Sequence, residues 1–165
     1  MSRPPRLHGF DYRGRHVYFL TFCTHLRRDT LRDRSVAVMV IEQIRRAAAR
    51  FEFAVLAYCA MPDHVHLLVQ GTSDRSDLRR FTRRVKQGAA QRCTRQMSGP
   101  MWQEGYYDHV VRPEEDVSGI ARYIIENPVR ARLVGSPSEY PFIGSDVWSV
   151  DEILRQDSIV PGPRH

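Results

Sequence analysis

The chain has 165 residues, 42% of them hydrophobic, so it fits a single domain able to bury a core, and dominant disorder is excluded. No apolar run approaches the ~18 residues of a membrane span, and the start, Met1-Ser2-Arg3-Pro4-Pro5-Arg6, is not expected to be a secretory signal. The net charge is +6, and every basic residue except Lys86 is an arginine, whose planar fork grips phosphate in bidentate fashion, so a nucleic acid or other polyanion is the expected partner; arginine bias from genome composition gives the same charge.

Residues 1–15 are polar and are expected to be a flexible lead-in, followed by a domain over 16–135 and a tail over 136–165 that packs on it and then frays. His16–Thr24 is aromatic and β-branched and predicts a strand. Ser35 is a candidate cap for a helix from Val36 to about Arg50. Phe53–Ala60 and His64–Gln70, joined by Met61-Pro62-Asp63, predict a hairpin. A second helix is expected from Asp77 to about Arg95, with Leu78, Phe81, Val85 and Ala89 inward and Arg79, Arg80, Arg83, Arg84, Lys86 and Arg92 outward. Tyr106–Arg112 predicts a fourth strand. Pro113-Glu114-Glu115-Asp116 predicts the start of a helix carrying Val117, Ile120, Ala121 and Ile124, which must end or bend near Pro128 before a short helical continuation over Val129–Val134. The order β-α-β-β-α-β is that of an α+β fold, the ferredoxin-like, RRM-like split βαβ antiparallel sheet with two helices on one face and an added C-terminal helix, which leaves the other face open to a ligand.

Three groups of residues can carry chemistry. His64 and His66 share one face of a strand, about 7 Å apart at Cα, and can chelate one divalent cation or simply face solvent. Tyr123 and Asn127 are one helical turn apart; Tyr123 also fits a core edge, and Asn127, before Pro128, also fits an N-cap. The basic helix can track phosphates, and Trp102, Tyr106 and Tyr107 can stack on unpaired bases or fill the core. Cys23, Cys59 and Cys93 form no C-x-x-C pair, so neither a disulfide framework nor a structural zinc site is expected, and the expected location is cytoplasmic and nucleoid-associated. P-loop and nucleophile-elbow motifs are absent.

The string Ala57-Tyr58-Cys59-Ala60-Met61-Pro62-Asp63-His64-Val65-His66-Leu67-Leu68 resembles the His-hydrophobic-His segment of single-tyrosine transposases. Trp102-Gln103-Glu104-Gly105-Tyr106-Tyr107-Asp108-His109 and Tyr123-Ile124-Ile125-Glu126-Asn127-Pro128-Val129-Arg130-Ala131 resemble the downstream blocks of the REP-associated branch. The resemblance implies that His64 and His66 bind Mg²⁺ or Mn²⁺, with Asn127 as third ligand where insertion-sequence relatives place glutamine. It implies that Tyr123 is the nucleophile on the added helix, cutting single-stranded DNA beside a hairpin or palindrome through a 5′-phosphotyrosine and leaving a 3′-OH that can reverse the step. Arg79, Arg83, Arg84, Lys86 and Arg112 are the candidate DNA contacts. A monomer is favoured, with a domain-exchanged dimer as the other arrangement, and no membrane partner is expected. The alternatives are a non-catalytic RRM-like module stacking bases on Tyr18 and Phe22, and a domesticated relative that nicks without mobilising DNA.

Overall fold

The computed structural model describes residues 7–93 and 97–156. Strand β1 (Val17–Cys23) alternates, turning Tyr18, Leu20 and Phe22 to one side and Val17, Phe19, Thr21 and Cys23 to the other. Helix α1 (Arg34–Phe51) follows, and its N-cap is Asp33, whose carboxylate accepts the N–H groups of Ser35 and Val36. Ser35 is therefore the second helical residue and not the cap; aspartate is an equally good cap and begins the helix earlier. β2 (Phe53–Met61) and β3 (His64–Gly71) form the hairpin. A register shift at Leu56 places both Leu56 and Ala57 on the same face, so Tyr58 and Ala60 continue the face begun by Phe53 and Val55. α2 (Leu78–Cys93) returns across the sheet, and Arg95 of the expected helix lies outside the described residues. β4 (Tyr107–Val111) completes the split βαβ pattern.

With β5 (Ile143–Gly144) at one edge, the sheet order is β4-β1-β3-β2-β5, with antiparallel neighbours throughout. α1 and α2 cover one face, over Tyr18, Leu20, Phe22, Val65, Leu67 and Val69. Tyr18 and Phe22 are fully buried there, which removes them as a base-stacking platform and with them the residue evidence for an RRM-like binding module. Trp102, 8% exposed, likewise belongs to this core and donates its indole N–H to the Lys86 carbonyl. The described part of the expected lead-in, residues 7–15, is packed by Tyr12, which is buried, and Arg13, which pairs with Asp77 at 3.4 Å; residues 1–6 lie outside the described residues.

The opposite face is closed, not open. α3 (Val117–Ile125) lays Ile120, Ala121, Ile124 and Ile125 on Phe19, Leu56, Ala57, Cys59 and Leu68. Each of those isoleucines contributes about 1.5–3 kcal/mol by leaving water. α3 starts after Asp116, later than expected; upstream of it the Glu115 carboxylate accepts the Arg112 N–H at 2.7 Å and bonds His109 at 2.8 Å. The helix ends at Ile125, and α4 (Asn127–Arg130) resumes after Glu126 with Pro128 in its first turn, a shorter continuation than Val129–Val134 and one that begins before it. The tail adds β5 (Ile143–Gly144) to the β2 edge and α5 (Val150–Arg155), which buries Ile153 against the second core. The expected fraying end lies outside the described residues from 157 on. Among the described residues no helix is long and apolar enough to cross a membrane.

Candidate active site

The alternation of β3 sends Val65 into the helix-covered core and turns His64 and His66 to the α3 side. Cross-strand pairing sets Cys23 beside His64, and Thr21 and Cys59 beside His66. The two imidazoles bring their Nε2 atoms to 3.1 Å. Each ring is anchored at its other nitrogen: His64 Nδ1 donates to Asp63 Oδ1 at 2.6 Å, and His66 Nδ1 shares a hydrogen bond with Thr21 Oγ1 at 3.0 Å. With Nδ1 protonated, the lone pair of each ring sits on Nε2 and faces the other. Two ligands ~2.1 Å from a cation and at a right angle to one another lie about 3.0 Å apart. The pair therefore fits one divalent cation, and Asp63 and Thr21 fix the ring orientations as such ligation requires. Among the described residues no three His, Cys, Asp or Glu side chains converge on such a point, so the remaining ligands would be amide or water oxygens.

Burial pushes the His64 imidazole below its ordinary range, with Asp63 pulling the other way, so the ring is neutral and able to coordinate at neutral pH. For Asp63, burial works to raise the carboxyl, but the bonds from His64 and from Arg27, whose Nε donates at 2.8 Å, outweigh it and hold the group below the usual carboxylate range. Cys59 is fully buried and pushed up to about 12 by desolvation, which keeps it a protonated thiol and a poor nucleophile.

α3 delivers Tyr123 to this face. Its ring centre lies 6.4 Å from that of His66 and 6.4 Å from that of Phe19. From above, the guanidinium of Arg130 sits 4.0 Å from the ring centre, donates to the Tyr123 carbonyl and pairs with Glu126. The half-buried phenol is thus held between the sheet and a cation on α4. Tyr107, another tyrosine of this face, is pushed up by burial and by Asp108 and Glu115. Asn127 is not an N-cap: Glu126 holds that position without a side-chain capping bond, and Asn127 is the first residue of α4, half-buried. Among the described residues its side-chain amide has no hydrogen-bond partner.

The structure thus unites His64, His66 and Tyr123 within one chain. It does not bring the expected basic residues to them. Arg79, Arg83 and Arg84 lie on α2, across the sheet from the histidines. Lys86 donates to the Gln103 carbonyl at 2.8 Å and the Gly105 carbonyl at 2.6 Å, so its ammonium fastens a loop. Arg112 follows β4 at the end where Val111 pairs with Val17, five residues and about 17 Å along the strand from the row of Tyr107, Thr21 and His66. Tyr106 packs its ring against Phe22 at 5.8 Å. Three contributors were not singled out from sequence. Asp63 was read only as part of a turn, although a carboxylate directly before a candidate ligand is a signal for an orienting group. Thr21 and Arg130 reach the site through strand register and a helix break, which no local pattern announces.

The model of the family described as "Transposase IS200 like" matches residues 13–127. A Haemophilus influenzae protein designated a REP-associated tyrosine transposase is 27% identical over 150 residues, covering 80% of this chain and 81% of that one. A solved REP-associated tyrosine transposase bound to a REP hairpin superposes with a TM-score of 0.71 at 23% identity, covering 87% of this chain and 82% of the other. A Deinococcus radiodurans protein designated a transposase gives a TM-score of 0.50 at 22% identity, covering 79% and 92%. The two structural likenesses are of fold; the family match spans β1 through Tyr123, including both histidines, and the chain belongs to the IS200-like transposase family.

Proposed function

We propose that this chain cuts and rejoins single-stranded DNA beside a REP-like hairpin, with Tyr123 as the nucleophile. The observation that carries the reading is the Tyr123 ring set against His66, whose Nε2 meets that of His64 at 3.1 Å. In the step, the Tyr123 phenolic oxygen bonds to phosphorus, the bond from phosphorus to the 3′-oxygen breaks, the phenol gives up its proton, and the departing oxygen takes one. The phosphotyrosine conserves the phosphodiester bond, so a 3′-OH attacking it restores a DNA strand and the phenol without a nucleotide cofactor.

His64 and His66, with the Asn127 amide oxygen as third donor, would hold Mn²⁺ or Mg²⁺; when bound, such an ion draws charge from a non-bridging phosphate oxygen and favours in-line attack. Two imidazoles suit Mn²⁺ better than Mg²⁺, which prefers oxygen. Asp63 and Thr21 hold the two rings so that the Nε2 atoms stay aimed at one point. Phe19 and Arg130 bracket the Tyr123 ring and limit its rotation. The similarity of fold to a protein bound to a REP hairpin supports hairpin DNA as the substrate. The ring contact joins Tyr123 to His66 through packing within one chain, so the proposed site is self-contained in a monomer. Incubation with a REP-like hairpin oligonucleotide and Mn²⁺ is expected to give a covalent protein–DNA adduct that Tyr123→Phe abolishes. An undiminished adduct in that variant refutes the assignment.

A further inference from the structure

The layer farthest from Tyr123 carries a groove of about 330 Å³, lined by Arg50 and Phe51 at the end of α1 and by Arg80, Arg83, Arg84 and Gln87 on α2. Arg50 and Arg80 place their guanidinium carbons 5.8 Å and 5.3 Å from the Phe51 ring centre. Among the described residues no carboxylate lies within ion-pair distance of Arg50, Arg80, Arg83 or Arg84; the nearby Glu52 pairs with Arg75 instead. This arrangement is unfavourable for the helix alone. Arg80 and Arg84 form a like-charged i,i+4 pair on α2. An anion relieves that repulsion, and the half-exposed ring among the cations offers a face to a flat partner.

We propose that this groove binds an unpaired nucleotide, its base stacked on Phe51 and its flanking phosphates held by Arg50, Arg80, Arg83 and Arg84. Unlike a purely basic surface, which fits any polyanion, an aromatic face between guanidinium groups selects an unstacked base. Because the groove and the Tyr123 site lie on opposite faces of the sheet, the nucleotide held here is not the one being cut. The groove grips a part of the strand remote from the chemistry. The proposal rests on the reading of the chain as a DNA-processing enzyme for the choice of DNA as its ligand.

The test uses the full chain carrying Tyr123→Phe, so that binding is measured with the proposed covalent step removed. The probe is a hairpin oligonucleotide with a single-stranded flank and 2-aminopurine at each unpaired position in turn. At one position or more the emission is expected to be quenched on binding. Phe51→Leu, which keeps an apolar side chain in the core edge, is expected to abolish that quench, and Phe51→Trp to preserve it. Arg80→Gln with Arg83→Gln is expected to weaken binding at least tenfold near 100 mM salt and to reduce the slope of log K against log salt by about 1.4, two single-strand phosphates at ~0.7 each. Quenching that survives Phe51→Leu overturns the stacking site. So does an arginine pair whose removal leaves affinity within twofold and the slope unchanged, or one that weakens a blunt duplex equally. Failure of the wild-type chain to form an adduct strikes the proposed reaction and leaves these binding results intact.

Discussion

Asp63 offers a graded perturbation of the candidate cation site. Its backbone is fixed independently of its side chain, since its carbonyl accepts the Thr24 N–H at 3.0 Å and the Thr24 hydroxyl at 2.9 Å. Substitution therefore changes the carboxylate without releasing the turn. The carboxylate holds His64 Nδ1 at 2.6 Å and Arg27 Nε at 2.8 Å. Loss of such an orienting partner lowers metal affinity by about 10–100-fold, or ~1.4–2.7 kcal/mol. The two donors use different carboxylate oxygens, so Asp63→Asn keeps an acceptor for His64 Nδ1 only by turning its NH2 towards Arg27 Nε; with the His64 bond kept and the Arg27 bond and the charge lost, it is expected near the tenfold end. Asp63→Ala loses the His64 bond as well and is expected near 100-fold. Mn²⁺ binding is followed by the electron paramagnetic resonance signal of the free ion, with thermal melting to confirm that each variant folds. Both variants binding within twofold of wild type would refute the claim that Asp63 positions His64.

Ile124 is fully buried between α3 and the sheet, so Ile124→Ala is expected to lose about 2–5 kcal/mol in urea unfolding; a loss under 1 kcal/mol contradicts the packing described. Glu115 is held below the usual carboxylate range: burial works against this, but the Arg112 N–H and His109 prevail. Its bonds therefore stabilise the fold above pH ~4.5, the unfolded value, and that contribution is lost as pH falls through the lower folded value. Glu115→Gln is expected to flatten the unfolding free energy below pH ~4.5 and to leave its acid slope no steeper than wild type. A mixture of His64→Ala and Tyr123→Phe chains is expected to form no adduct, as the proposed self-contained site requires; recovered activity would mean that the site is shared between subunits.

The split βαβ order could be read from the sequence because its strands and helices differ in period: Phe53–Met61 is continuously apolar, while α2 repeats every three or four residues. The closure of the second face was less legible. α3 shows its apolar stripe plainly, but nothing local says which side of the sheet it covers, and β5 is only two residues long. In the site, His64 and His66 followed from strand alternation, and Tyr123 from the resemblance. The positions of Arg79, Arg83 and Arg84 did not follow, because helical spacing shows that residues are outward without showing which layer they occupy. The loop-fastening bonds of Lys86 are illegible for a related reason: its partners are backbone carbonyls of Gln103 and Gly105, and carbonyls leave no trace in residue identity.

The central claim is that the Tyr123 phenol faces a cation held by His64 and His66. Crystals grown with Mn²⁺, measured at a wavelength where manganese scatters anomalously, test it most directly. One strong anomalous peak is expected, bonded to both Nε2 atoms, on the side of the sheet covered by α3 and turned towards the Tyr123 ring. A peak bonded elsewhere, or well-ordered imidazoles with no peak at millimolar Mn²⁺, would contradict it.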